Sequence, residues 1–477
     1  MIPQLGSKQS TMNIFLSILI LILASPVLCA QARVGSSVLD YKVYNLQSEH
    51  FPGQQRTVKI YLPEYYDSLK KYPVLYTLDG NTLFNITSSY VSHLSKLTID
   101  DDGYDYGSDV IPEAIVVGIF HNDRGYETTP NVSEIPNSDE TIYREGSQRL
   151  KDFIFKEVLP FVDSKFSTSG YNAIIGHSNT AHFVMSLPFQ KNNPFRGIIS
   201  LSLGGYSDTF KNKVTSFLKA NQATQVFIGY GSKDFEFKEL AQHLEGNVEN
   251  KKLKVMRFNA NHNEMPAISL SQGLKFLFNE YRNISDFARK STAKDFDVND
   301  YLREYEDKNN EAYGINTKMK EDDFYSLIEM SIESKNKKVF NQLIDYETKV
   351  HGYTQQTHML FIYNKKLGDY KKAMLLAKKM LESQDDLDQR ILKANLMQYY
   401  SFFMNDLTED QKAINFFQEG KNKFADAQLE FSYFIAKACL ENNVNKELGD
   451  ENLAYCFKHF EENRYFRKSD LKSLSEK

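Results

Sequence analysis

Between about residues 38 and 280, short apolar runs alternate with longer stretches of mixed character. The runs lie at 57–62, 74–78, 114–120, 173–175, 197–203, 225–230 and 253–258. Most are continuous and rich in Val and Ile, the pattern of strands buried on both faces of a mainly parallel sheet. Five helical stretches lie between them, at 147–159, 179–187, 207–220, 235–248 and 267–281. Strand and helix alternating in this way predict an α/β fold with a doubly wound sheet.

From about residue 295 the strand pattern stops. Amphipathic helical segments follow at 322–335, 337–349, 355–366, 370–383, 388–404, 409–421, 426–441 and 449–462, and no proline occurs after Pro266. Residues 285–320 are charged and Asn-rich, which predicts a linker or a first irregular helix. Leu360, Gly368, Tyr370 and Ala373 sit at offsets compatible with a tetratricopeptide unit, and Ala413 and Phe417 repeat part of that spacing. Helix pairs of this kind bury their apolar faces by stacking on neighbours. A plain helical bundle is the competing expectation.

Length and composition fit this plan. The 477 residues allow two or three domains, and 41% hydrophobic with 25% charged residues describes a globular chain. A net charge of −5 leaves no electrostatic footprint for nucleic acid. Residues 14–24 are almost wholly apolar, with Lys8 before them and Ala30-Gln31-Ala32 after them. The run is too short to span a bilayer and has the layout of a secretory signal peptide at about 12–32. The expectation is an exported protein, periplasmic or secreted, with no transmembrane segment in the mature chain. Cys439 and Cys456 then remain, either bonded or as buried free thiols. The expected domains are a signal peptide at 1–32, a hydrolase-like domain at 33–284, the linker at 285–320 and a helical domain at 321–477.

The candidate chemistry begins at Gly176-His177-Ser178, where the run ending at Ile175 passes into a helical stretch. In α/β-hydrolases such a strand-to-helix turn lifts a nucleophilic serine above the sheet edge. Thr180 stands where that motif usually has Gly. The required order of serine, acid, histidine is completed after two later runs, by Asp234 behind 225–230 and His262 behind 253–258. Ligands of open α/β sheets bind at the carboxyl edge, where all three would meet. Ser178 is the candidate nucleophile, His262 the base that takes its proton, and Asp234 the group that orients the imidazole. Glu236 is the alternative acid. Oxyanion donors are expected from the backbone N–H of Asn179 and from the N–H of Gly80 or Asn81, in the loop after 74–78.

Several separated segments resemble one known family. They are Tyr61-Leu62-Pro63-Glu64-Tyr65-Tyr66-Asp67, Lys71-Tyr72-Pro73-Val74-Leu75-Tyr76-Thr77-Leu78-Asp79-Gly80, Ile115-Val116-Val117-Gly118-Ile119, and Arg124-Gly125-Tyr126-Glu127-Thr128-Thr129-Pro130. Ile175-Gly176-His177-Ser178, Gly231-Ser232-Lys233-Asp234-Phe235 and His262 with Pro266 complete the set. Over about residues 40–282 the chain resembles the putative esterase family, the α/β-hydrolase branch that holds esterase D and the enterochelin esterases. The resemblance implies an α/β-hydrolase fold and hydrolysis of a small-molecule carboxylic ester through an acyl-enzyme, without metal or organic cofactor. It assigns the triad roles to Ser178, Asp234 and His262. Some bacterial members carry a tetratricopeptide-like tail, which residues 300–470 resemble. Thr180-Ala181-His182 departs from the family's Gly-Gly pattern and adds a β-branched side chain where close packing is expected.

That departure and the long tail motivate a second reading, a catalytically impaired hydrolase-like binding protein whose helical tail mediates protein interaction. Arg124 and His182 are candidate substrate contacts, Arg124 through its planar fork. His177 and His182 are five residues apart, a poor helical spacing for shared metal ligation. Asp100-Asp101-Asp102-Gly103-Tyr104-Asp105 lacks the Gly and Glu positions of an EF-hand loop, so no calcium site is expected there.

Overall fold

The structure is a computed structural model that describes residues 40–96, 109–129, 140–189, 192–204, 207–350 and 356–477. The expected signal peptide and the Asp100–Asp105 run lie outside the described residues. The chain divides into two compact units, Met1–Phe278 and Asn279–Lys477.

The first unit is built on an eight-stranded sheet: β1 Tyr41–Gln47, β2 Gln55–Tyr61, β3 Tyr72–Thr77, β4 Ile115–Ile119, β5 Thr168–His177, β6 Phe195–Leu201, β7 Gln225–Gly231 and β8 Leu253–Phe258. Its strand order is β1-β2-β4-β3-β5-β6-β7-β8. β2 runs antiparallel to both β1 and β4, and every pair from β4 through β3 to β8 is parallel. Each apolar run predicted from the sequence is a strand. β3 and β4 are buried at every position, because helices cover both faces. β1 was not predicted. It is a largely exposed outer strand, so its sequence YKVYNLQ never needed a continuous apolar run.

Helices Glu140–Phe153, Leu159–Lys165, Asn179–Ser186, Asp208–Ala220 and Glu239–Asn247 connect the strands, as does Leu83–Leu94, which was not predicted, and Met265–Leu277 follows β8. A π-helical turn at Ile154–Val158 widens the chain just before Pro160. Pro160 has no N–H to give the preceding turn, so the helix cannot continue regularly there.

The second unit is all helical, and the chain passes through Val298–Tyr313, Glu321–Glu333, Lys337–Val350, Thr357–Lys366, Tyr370–Glu382, Asp386–Ala394, Asp410–Lys423, Gln428–Glu441, Lys446–Lys458 and Lys468–Ser475. Within 285–320, expected as a linker or a first irregular helix, lies a regular sixteen-residue helix. The Asp297 carboxylate accepts the N–H groups of Asn299 and Asp300 at its start, and Gly314 (φ +67°) ends it in the left-handed region. The stretch 388–404 breaks at Asn395, which leaves the helical conformation. Gly368 (φ +73°) makes the turn between Thr357–Lys366 and Tyr370–Glu382, and Ala373, Ala413 and Phe417 are fully buried. Cys439 and Cys456 are buried free thiols, with no disulfide between them.

Candidate active site

The site assembles at the carboxyl ends of β3, β5, β7 and β8, and its centre is the turn after β5. Ser178 takes φ 64° and ψ −125°, a strained conformation for a residue with a side chain. Its N–H still donates to the Leu201 carbonyl of β6 (3.0 Å), so the sheet ladder holds the turn up to the serine itself. Helix Asn179–Ser186 starts one residue later. Gly176 is indispensable to this packing, because a Cβ there would lie 2.3 Å from the Thr180 carbonyl oxygen.

Thr180 does not disturb the turn as the sequence led us to expect. Its backbone takes the close approach to Gly176, and its fully buried side chain points into a polar network. Thr180 Oγ1 accepts the His177 N–H (2.7 Å) and lies 2.9 Å from Asp79 Oδ2 and 2.8 Å from the His177 carbonyl. A hydroxyl has one proton to give. The ionised carboxylate is the stronger acceptor, and the His177 carbonyl already accepts from Arg124 Nη2 at 3.2 Å.

The acid and the base come from the last two strands. β7 and β8 stay paired through Gly231 and Phe258, and Ser232 N–H donates to the Phe258 carbonyl (2.8 Å). Asp234 and His262 thereby emerge side by side. His262 Nδ1 lies 3.1 Å from each oxygen of the Asp234 carboxylate, which is 3% exposed. His262 sits on the turn His262–Glu264, which is fixed by a capping box: Asn261 Oδ1 accepts from Asn263 and Glu264, and Glu264 Oε2 accepts the Asn261 N–H. Glu236 is exposed and takes no part in this pair.

His262 lies between two rings, His177 at 4.6 Å and Phe237 at 4.3 Å between centroids. The His177 Nε2–H donates to the His262 carbonyl (2.9 Å), tying the residue before the nucleophile to the residue proposed as its base. A carbonyl only accepts, so this bond places the His177 ring proton on Nε2. Burial and the neighbouring His262 charge push His177 down to about 4, and it stays neutral at pH 7. Among the hydrogen bonds of the described residues none joins Ser178 Oγ to His262. Catalytic hydrogen bonds in substrate-free sites often tighten only once substrate is bound.

The loop after β3 supplies the remaining wall. The Gly80 N–H donates to the Ile119 carbonyl (2.9 Å), so it has no proton for a substrate oxygen. A Cβ at Gly80 would also lie 2.6 Å from the Phe120 ring. Of the two expected donors in this loop, Asn81 remains. Two expected substrate contacts are also placed elsewhere. Arg124 grips Asp79 through Nε (2.6 Å) and Nη2 (3.0 Å), so its fork is committed to the protein. His182 is fully buried and stacks on Phe210, with centroids 3.7 Å apart, so it lines no pocket.

Below this loop runs a chain of buried charges that the sequence reading missed. Arg56 is held by both Glu127 oxygens (2.7 and 2.6 Å), and Glu127 Oε2 accepts from His121 Nδ1 (2.9 Å). His121 Nε2 accepts the Asp79 N–H at 3.3 Å. Burial alone would raise the Glu127 carboxyl, but the hydrogen bonds from His121 and Arg56 outweigh it and hold the group at about 2.

Residues 48–271 match the family model described as Putative esterase. Among solved structures, an uncharacterised protein from Capnocytophaga ochracea aligns at 17% identity with a TM-score of 0.53, covering 74% of this chain and 99% of its own. That share of the chain exceeds what the first unit holds, so the shared fold extends into the helical unit. An IroE-like serine hydrolase from Shewanella oneidensis aligns at 22% identity with a TM-score of 0.48, over 64% of this chain and 98% of its own. The siderophore hydrolase EstA of Aspergillus nidulans aligns at 17% identity with a TM-score of 0.41, over 52% and 97%. No curated protein sequence matches the chain significantly. The family match supports hydrolysis of a small-molecule ester, on an α/β-hydrolase sheet followed by a helical region. Over residues 48–271 the chain is similar to the putative esterase family.

Proposed function

We propose that the first unit is a serine esterase that cleaves a carboxylic ester through an acyl-enzyme. The observation that carries the reading is the Asp234–His262 pair, 3.1 Å apart, beside a Ser178 held in a strained turn. In the proposed reaction Ser178 Oγ attacks the ester carbonyl while His262 Nε2 takes its proton. Asp234 accepts from His262 Nδ1, which leaves Nε2 as the basic nitrogen and stabilises the imidazolium that forms. The developing oxyanion is met by the N–H groups of Asn179, the first residue of its helix, and Asn81. Collapse of the tetrahedral species expels the alcohol, which receives the proton from His262. Water, deprotonated by His262, then attacks the acyl-enzyme and releases the acid. With Thr180 accommodated in the turn, the binding-protein reading loses one of its two motivations, and the long helical tail is the other.

The test is labelling with a fluorophosphonate. The expected result is one modification, mapped to Ser178, with hydrolysis of p-nitrophenyl acetate lost in Ser178→Ala. Folded protein that takes no label and turns over no ester would end the proposal. Export belongs to the same reading, on the signal-like run at 14–24. It predicts a mature N-terminus near residue 33 in the exported fraction, read by mass spectrometry.

A further inference from the structure

Two residues with side chains at positive φ lie on the two segments that flank the proposed oxyanion site. Ser178 (φ 64°) ends the turn after β5, and Asp79 (φ 52°) opens the loop after β3. Strained conformations of this kind persist only where their surroundings over-determine them. Here the shared restraint is the Asp79 carboxylate. It is buried (5% exposed), accepts from Thr180 Oγ1 and from the Arg124 fork, and has His121 Nε2 at 3.6 Å from Oδ1. Thr180 is two residues after the nucleophile and one after Asn179. Asp79 is two residues before Asn81. The Thr180–Asp79 hydrogen bond therefore links the two segments that carry the two oxyanion donors. Arg124 doubles the link, because the Nη2 that holds Asp79 also reaches the His177 carbonyl.

We propose that Asp79 and Thr180 are positioning residues, a clamp that fixes the separation of the Asn179 and Asn81 N–H groups around the developing oxyanion. The inference rests on the serine-esterase reading. It gives a use to the departure from the usual Gly: a residue without a hydroxyl at 180 cannot make the bond. An oxyanion hole acts by being organised before charge develops, so a loosened clamp costs turnover more than substrate binding.

The experiment compares Thr180→Val, nearly isosteric but without the hydroxyl, with Thr180→Ser and Thr180→Gly in the full chain. Steady-state hydrolysis of p-nitrophenyl acetate is combined with inhibition by a trifluoromethyl ketone, whose enzyme adduct carries the oxyanion. Thr180→Val is expected to lower kcat about 10²-fold with KM within about threefold, since small misplacements at a reacting centre cost that much. Trifluoromethyl ketone affinity should fall in parallel. Thr180→Ser should restore most of both, and Thr180→Gly should lower kcat. Thermal melting of each variant reports folding. Wild-type values for kcat and ketone affinity in folded Thr180→Val, or a rise of kcat in Thr180→Gly, overturn the clamp while leaving the esterase reading intact. If Thr180→Val does not fold, Thr180→Ser and Thr180→Gly decide the matter on the same readouts. A wild-type protein that neither takes a fluorophosphonate label on Ser178 nor turns over ester overturns the esterase reading, and the clamp with it.

Discussion

In the esterase unit the bulkiest fully buried side chain is Arg56, held by Glu127. In the helical unit such positions go to Tyr313 and Tyr399. Tyr399 lies in a stack of rings, with Phe361 at 4.5 Å and Phe416 at 5.6 Å between centroids, and Phe402, Phe417, Phe431 and Phe434 complete the same core. One unit buries the Arg56–Glu127 pair and holds it with hydrogen bonds of fixed direction. The other buries aromatic surface, which has far looser directional demands. The charged interior surrounds a site where atoms must be held to fractions of an ångström, and the aromatic interior serves packing. The helical unit's own embedded cation, Arg282, is paired with Asp322 and Asp323, away from any nucleophile or histidine pair described there.

Mutation can break this contrast, and the largest effect should come from the nucleophile. Ser178→Ala is expected to cut kcat by more than about 10⁴-fold, and Asp234→Asn by about 10³–10⁴-fold, in p-nitrophenyl acetate assays at unchanged melting temperature. Arg56→Met should come next. It strands the Glu127 carboxylate in a buried site and should cost about 3–5 kcal/mol in urea unfolding of the esterase unit. Phe417→Ala should remove a comparable 3–5 kcal/mol from the helical unit through cavity formation, and leave kcat within about twofold. Similar losses of stability, with kcat lowered in Arg56→Met and kept in Phe417→Ala, would sharpen the comparison. A large fall in kcat for Phe417→Ala would break it.

A smaller effect belongs to His177. Its folded value, about 4, lies below the ordinary 6.5, so between these values the unfolded chain binds a proton that the folded chain does not. Its contribution is full above pH 6.5 and declines as the pH falls toward 4, by roughly 1.4 kcal/mol per pH unit where the difference is one full proton. Glu127 adds a loss at lower pH, below its ordinary 4.5 and down to about 2. His177→Gln should flatten the first of these losses in urea titrations across pH 4–6.5, and an unchanged slope would remove the assignment. Glu236→Gln should do the least, leaving kcat and its pH profile at wild-type values, because the exposed Glu236 side chain does not reach His262.

Most strands were legible because burial on both faces leaves little choice of residue: β7 was read at 225–230 and is Gln225–Gly231, buried throughout. The helices after 320 were legible through their apolar stripes. β1 and Val298–Tyr313 were not, because the strand is exposed and the helix buries a face built mostly on Tyr and Asn among charged residues. In the site, Asp234 and His262 followed from their places behind β7 and β8. Gly80, Arg124 and His182 were misjudged for one reason. A residue's neighbourhood along the chain does not say whether its N–H, fork or ring is already taken by a distant partner. Ile119, Asp79 and Phe210 are those partners. Thr180 shows the same effect with the opposite outcome, since its value as a bonding group depends on a carboxylate 101 residues away.

The burial of Cys439 and Cys456 carries a consequence for the helical unit. Burial pushes the two thiols up to about 11 and about 12, so almost no thiolate is present at neutral pH. Neither sulfur is an attacking group for exchange, and neither is needed as a crosslink. Once the helical unit is folded, burial therefore protects both thiols from exchange.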